Sequence, residues 1–92
     1  MPDEPALSEK ARDVIRSGRL PLRKPDQMFG GPGSGAVCPV CGELAARNQL
    51  ELEIEFRGHG TVDTFHLHPR CFAAWEFERI KLGRGPDERL AI

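Results

Sequence analysis

Leu50, Leu52, Ile54 and Phe56 alternate with Glu51, Glu53 and Glu55, a period of two that predicts a β-strand with one apolar and one acidic face. "GHG" (58–60) reads as a turn and "TVDTFHL" (61–67) as the return strand of a hairpin. The glutamate row is expected to be the solvated face of that hairpin, a metal or substrate site being the less common use of such a row. Earlier in the chain the period changes. Leu7, Ala11, Val14 and Ile15 fall on one helical stripe, and Gly18 suits the left-handed residue that ends it, so a helix is expected over about 6–17. After the hairpin, "HPRCFAAWEFERIKL" (68–82) predicts a second helix with Pro69 at its first position, where a missing N–H costs nothing. Phe72, Trp75, Phe77 and Ile80 are its expected core contacts, and Glu76/Arg79 and Glu78/Lys81 its i,i+3 ion pairs.

Between the first helix and the hairpin lies "PLRKPDQMFGGPGSG". Its prolines exclude a helix through 21–25, and "GGPGSG" (30–35) reads as a flexible linker. A phosphate-binding loop would need Gly-Lys-Ser/Thr at its end, and Gly35 is followed by Ala36 and Val37. The expected organisation is an N-terminal helix and basic, glycine-rich linker over 1–36, a finger-like unit over 37–84, and a tail over 85–92.

The chain has 92 residues, too few to bury a large core, and small domains recover that deficit with disulfides, a metal or a partner. Its three cysteines cannot all pair, which favours a metal site in a reducing compartment over a disulfide framework. Residues 1–10 lack the apolar run of a signal peptide, and no stretch approaches the ~20 apolar residues of a bilayer span. A cytoplasmic location is the expectation.

The cysteines carry the chemistry. "CPVCG" spaces Cys38 and Cys41 so that both thiolates reach one ion from a tight turn, with Gly42 free to take the left-handed backbone such a turn requires. His68 and Cys71 stand at i and i+3 on the first turn of the second helix and share a face. Together they offer three sulfurs and one nitrogen, a closed tetrahedral set suited to one structural Zn²⁺. His66 is the alternative: strand alternation turns it away from the face His68 reaches, making it a hydrogen-bonding neighbour of the site or, failing His68, the ligand. A redox Cys-x-x-Cys would need a strand-to-helix junction in an α/β domain, which the surrounding pattern does not offer. With all four positions filled by protein, no catalytic role is expected.

A Cys-x-x-Cys-Gly knuckle, a hairpin, and a helix opening on His-x-x-Cys resemble a treble-clef zinc finger. The order Cys-Cys-His-Cys, the 26-residue spacer between Cys41 and His68, and "HLHPRCF" before an aromatic helix are similar to PARP-type fingers and to the first half of a LIM domain. The resemblance covers about residues 37–82 and implies a small α+β, treble-clef-like fold with Cys38, Cys41, His68 and Cys71 as ligands. It also raises DNA binding.

Charge gives that reading mixed support. The net charge is −1, yet Lys10 to Lys24 carries six basic residues against Asp13. A net-negative domain binds phosphates only through a segregated basic face, for which Arg12, Arg16, Arg19, Arg23, Lys24, Arg79 and Lys81 are the candidates. The first expectation is a protein-interaction or regulatory module, with DNA or RNA binding as the alternative and no membrane or small-molecule ligand.

Overall fold

A computed structural model describes residues 4–84. Helix α1 (Glu4–Arg16) is followed by strands β1 (Gln27–Pro32), β2 (Leu50–Gly58) and β3 (Thr61–Leu67) and by helix α2 (Pro69–Arg84). The strands form one antiparallel sheet in the order β1-β2-β3. The expected tail over 85–92 lies outside the described residues.

The stripe Leu7, Ala11 and Val14 is buried as its spacing requires, and α1 packs on α2. Gly18, at φ +79°, ends α1 in a Schellman motif. Its N–H donates to Ile15 O at 3.0 Å, and that of Arg19 donates to Val14 O at 3.0 Å. Between the helices and the inner face of the sheet lies a core of Leu20, Val40, Ile54, Phe56, Leu67 and Trp75, into which Cys38 and Cys71 are also packed. Trp75 is its centre. The ring meets Phe56 edge-on at 6.0 Å and Phe72 at 5.6 Å, and its indole N–H donates to Pro21 O at 3.2 Å.

Three expectations about packing change. Residues 27–32, read as part of a linker, form β1 and pair with β2 from Gln27↔Glu55 to Pro32↔Leu50. Phe77 and Ile80 are exposed, because the buried stripe of α2 runs through Cys71, Trp75 and Glu78, and Phe77 falls 200° around the helix from Trp75. Leu50 is exposed as well: β3 pairing begins at Leu52↔Leu67, so Leu50 lies beyond the covered part of the sheet.

Glu78 is 1% exposed. Its carboxylate oxygens face Arg12 Nη1 at 3.4 Å and Lys81 Nζ at 3.6 Å. The Arg12 pair ties α1 to α2 through charge at the edge of the apolar contact.

The segment after β1 is stitched to the chain ahead of β2. Gly33 N–H donates to Gln49 O, Gly35 N–H to Ala45 O and Ala45 N–H to Ala36 O, each at 2.8 Å. Gly33 lies so close that a Cβ there would stand 2.0 Å from Ala46 O and 2.4 Å from Ala45 O. Gly31 has open space around it. Gly33→Ala is therefore expected to cost about 3 kcal/mol, and Gly31→Ala to stay within about 1 kcal/mol of the parent. Denaturant titration of the metal-loaded protein checks the contrast.

Candidate metal centre

Two local structures bring the four ligand candidates together. The first is the turn at Cys38–Gly42, where Cys38 N–H donates to Glu43 O at 2.9 Å and Gly42 N–H to Cys38 O at 2.8 Å. Gly42 has φ +79°, the left-handed conformation the sequence anticipates for it. A bridge between Val37 and Leu44 closes the turn. The second is the start of α2. Pro69 is its first residue, the Phe72 N–H donates to His68 O at 2.9 Å, and the side chains of His68 and Cys71 meet on the same side.

Cys38, His68 and Cys71 are buried and Cys41 is half-buried. One donor atom from each lies within 4.8 Å of all the others. His68 Nδ1 stands 3.4 Å from Cys41 Sγ and 3.9 Å from Cys71 Sγ. Bond lengths of ~2.3 Å to sulfur and ~2.0 Å to nitrogen place tetrahedral S and N ligands ~3.5 Å apart, so the cluster has the dimensions of a four-coordinate site. The other imidazole nitrogen supplies the remaining requirement. Nε2–H donates to Leu44 O at 3.1 Å, and in the neutral ring this tautomer directs the Nδ1 lone pair at the sulfurs. The residues present fit a metal ion, and these four could hold one.

Each of the three thiols acts on the others. The hydrogen bond from Cys71 pulls the Cys38 thiol down to about 4, and the same contact, with burial, pushes Cys71 far up. Burial raises Cys41. Crowded sulfurs resist simultaneous ionisation in the absence of a positive charge among them, and a divalent cation supplies that charge.

His66 is placed elsewhere. It belongs to β3, where strand alternation sets it on the outer face, and its Nδ1–H donates to Glu51 Oε2 at 2.7 Å. Glu51, expected to be solvated, is 6% exposed. Ser34 N–H and Oγ–H donate to its Oε1 at 2.9 and 2.7 Å. Burial pushes the Glu51 carboxyl up, but the bonds from His66 and Ser34 outweigh it and hold the group below its usual range. Alternation identified the face of Glu51, and nothing in the sequence signalled that Ser34 would fold over it.

The basic candidates do not converge on one set of partners. Arg12 and Lys81 meet Glu78, and Arg79 pairs with Glu76 and lies over Trp75. Arg23 pairs with Asp26, donates to Arg57 O at 2.7 Å and lies over Phe56. Arg16, Arg19 and Lys24 are exposed. No helix among the described residues is long and apolar enough to cross a membrane. No protein-family model, curated protein or solved structure matches this chain.

Metal retention should follow the donor chemistry. Cys38→Ser, Cys41→Ser and Cys71→Ser are each expected to lose tightly held metal and much of the order of residues 37–82, whereas His66→Gln keeps the metal. Protons compete for thiolate and imidazole donors, so metal is released as pH falls below neutrality and retained as it rises. Metal content by native mass spectrometry, with circular dichroism on the same samples, checks both expectations. A cysteine variant that keeps native structure without metal would count against the assignment.

Proposed function

We propose that this chain is a non-enzymatic, zinc-ordered interaction module with a treble-clef-like finger, working as a cytoplasmic protein that binds another protein. Three thiolates and one imidazole favour Zn²⁺ over hard oxygen-seeking cations, and four protein donors leave no coordination position for substrate. Bound there, the ion's contribution is cross-linking: it joins the 38–41 turn to the start of α2. A turn bearing Cys38 and Cys41, a hairpin, and a helix opening on His68 and Cys71 support the treble-clef-like description.

The carrying observation is where the charges go. The basic side chains that would have to face phosphates include Arg12, Arg23, Arg79 and Lys81, and these are engaged with Glu78, Asp26 and Glu76 or laid over Phe56 and Trp75. Meanwhile Val37 and Leu44, bridged to one another beside the metal cluster, are 57% and 58% exposed. An apolar pair held on a metal-stiffened turn suits a protein surface better than a polyanion.

The test begins with one zinc per chain by native mass spectrometry, followed by fluorescence anisotropy with labelled DNA and RNA at several salt concentrations. The expected result is zinc at a 1:1 ratio and no salt-dependent nucleic-acid binding. Affinity that rises as salt falls and is lost on changing Arg16, Arg19 and Lys24 to Ala would replace the protein-partner reading with a nucleic-acid one. In affinity capture, a specific partner should be retained by the parent and lost by Val37→Asp with Leu44→Asp.

A further inference from the structure

On the sheet face away from the core, Glu53 and His66 are direct cross-strand partners, and Glu51 lies two residues along β2 on the same side. Glu51 is fixed from behind, since the backbone N–H and hydroxyl of Ser34 both donate to its Oε1. That leaves Oε2 directed at His66 Nδ1, 2.7 Å away, while Glu53 Oε1 stands 3.9 Å from the same nitrogen. One nitrogen and two oxygens from three residues thus lie within 4.8 Å of one another.

The hydrogen bond between Glu51 and His66 accounts for only part of this arrangement. An imidazole N–H satisfies one carboxylate, and at 3.9 Å it makes no hydrogen bond to the second. Among the described residues, Glu53 has no lysine or arginine partner: the nearby Arg57 faces Glu55 instead. Two carboxylates therefore share one imidazole, and the second of them lacks a hydrogen bond from it.

We propose that Glu51, Glu53 and His66 form a second, exchangeable site for a first-row divalent cation, with water completing the coordination shell. Metal–ligand bonds of ~2.0–2.1 Å set tetrahedral donors ~3.3 Å apart, and the observed 2.7 and 3.9 Å bracket that separation. Glu53, 37% exposed in its side chain, has the freedom to close the longer distance. Mixed imidazole and carboxylate donors suit Zn²⁺, Co²⁺, Ni²⁺ or Mn²⁺, and the lack of thiolates makes the site weaker than the cysteine cluster. His66 also comes from the opposite side of the strand pleat to Leu67, so this group does not share the cavity of Cys38 and Cys71. The serine that positions Glu51 comes from the glycine-rich stretch ahead of residues 37–82.

The experiment starts from protein whose cysteine-cluster zinc has first been counted by native mass spectrometry, so that failure of that site is recognised separately. Zn²⁺ is then titrated into this material by isothermal calorimetry. The expected result is one additional, exchangeable zinc per chain, absent in His66→Gln and weakened at least ~10-fold in Glu53→Gln. The second variant alters a half-exposed residue and keeps the test valid if the first disturbs folding. Substoichiometric Mn²⁺ should broaden the backbone amide signals of Glu51, Glu53 and His66 before others. The absence of a second zinc, unchanged affinity in Glu53→Gln, or broadening centred elsewhere would overturn the proposal.

Discussion

The rest of the structure depends on one closure: the Cys38–Cys41 turn must meet the first turn of α2, across 26 intervening residues. Most of that span is the β2–β3 hairpin, which sends the chain out and back so that His68 returns beside the segment it left. The pleat then sorts neighbouring side chains. His66 faces outward to Glu51, Leu67 faces the core, and His68 and Cys71 turn to the cysteines as the backbone changes from strand to helix. Metal binding by these four residues would be linked to folding, because donors so far apart in sequence come together only in the folded chain.

Much of this was legible because it depends on period and spacing. The α1 stripe, its glycine stop, the hairpin, Pro69 at the start of α2 and the grouping of Cys38, Cys41, His68 and Cys71 all follow from local rules. Strand β1 was hidden for an equally physical reason. "QMFGGP" has no apolar alternation and contains two glycines and a proline, so its own preferences do not favour a strand. Backbone pairing with β2 makes it one. The same limit applies to Glu51, whose burial is set by Ser34 and His66, and to Phe77, whose exposure follows from the path taken by α2 across the core.

Several charges hold the protein to itself. A local excess of basic residues over 10–24 looks available to an anion when read along the chain. In space, Arg12 reaches Glu78 of α2 and Arg23 folds over Phe56 toward Asp26. Exposed ion pairs contribute little individually, but Glu78 is buried and would lose its solvation without compensation if its cationic partners were drawn away. Recruiting Arg12 or Lys81 to a phosphate therefore carries a structural cost that recruiting Arg16, Arg19 or Lys24 does not.

The glycine-rich segment joins the cysteine–histidine cluster to the outer sheet face. Gly33 fits against the carbonyls of Ala45 and Ala46 only because it has no Cβ, and that contact places Ser34 over Glu51. Ala45 in turn follows Leu44, whose carbonyl accepts the His68 Nε2–H bond. A continuous path thus runs from the imidazole, through the 44–46 backbone and the 33–36 segment, to the carboxylate beside His66. Each contact is a backbone approach or a hydrogen bond with little positional slack. That path links the four metal-ligand candidates on the inner side to three polar residues on the outer side, through a segment whose composition alone suggests no such connection.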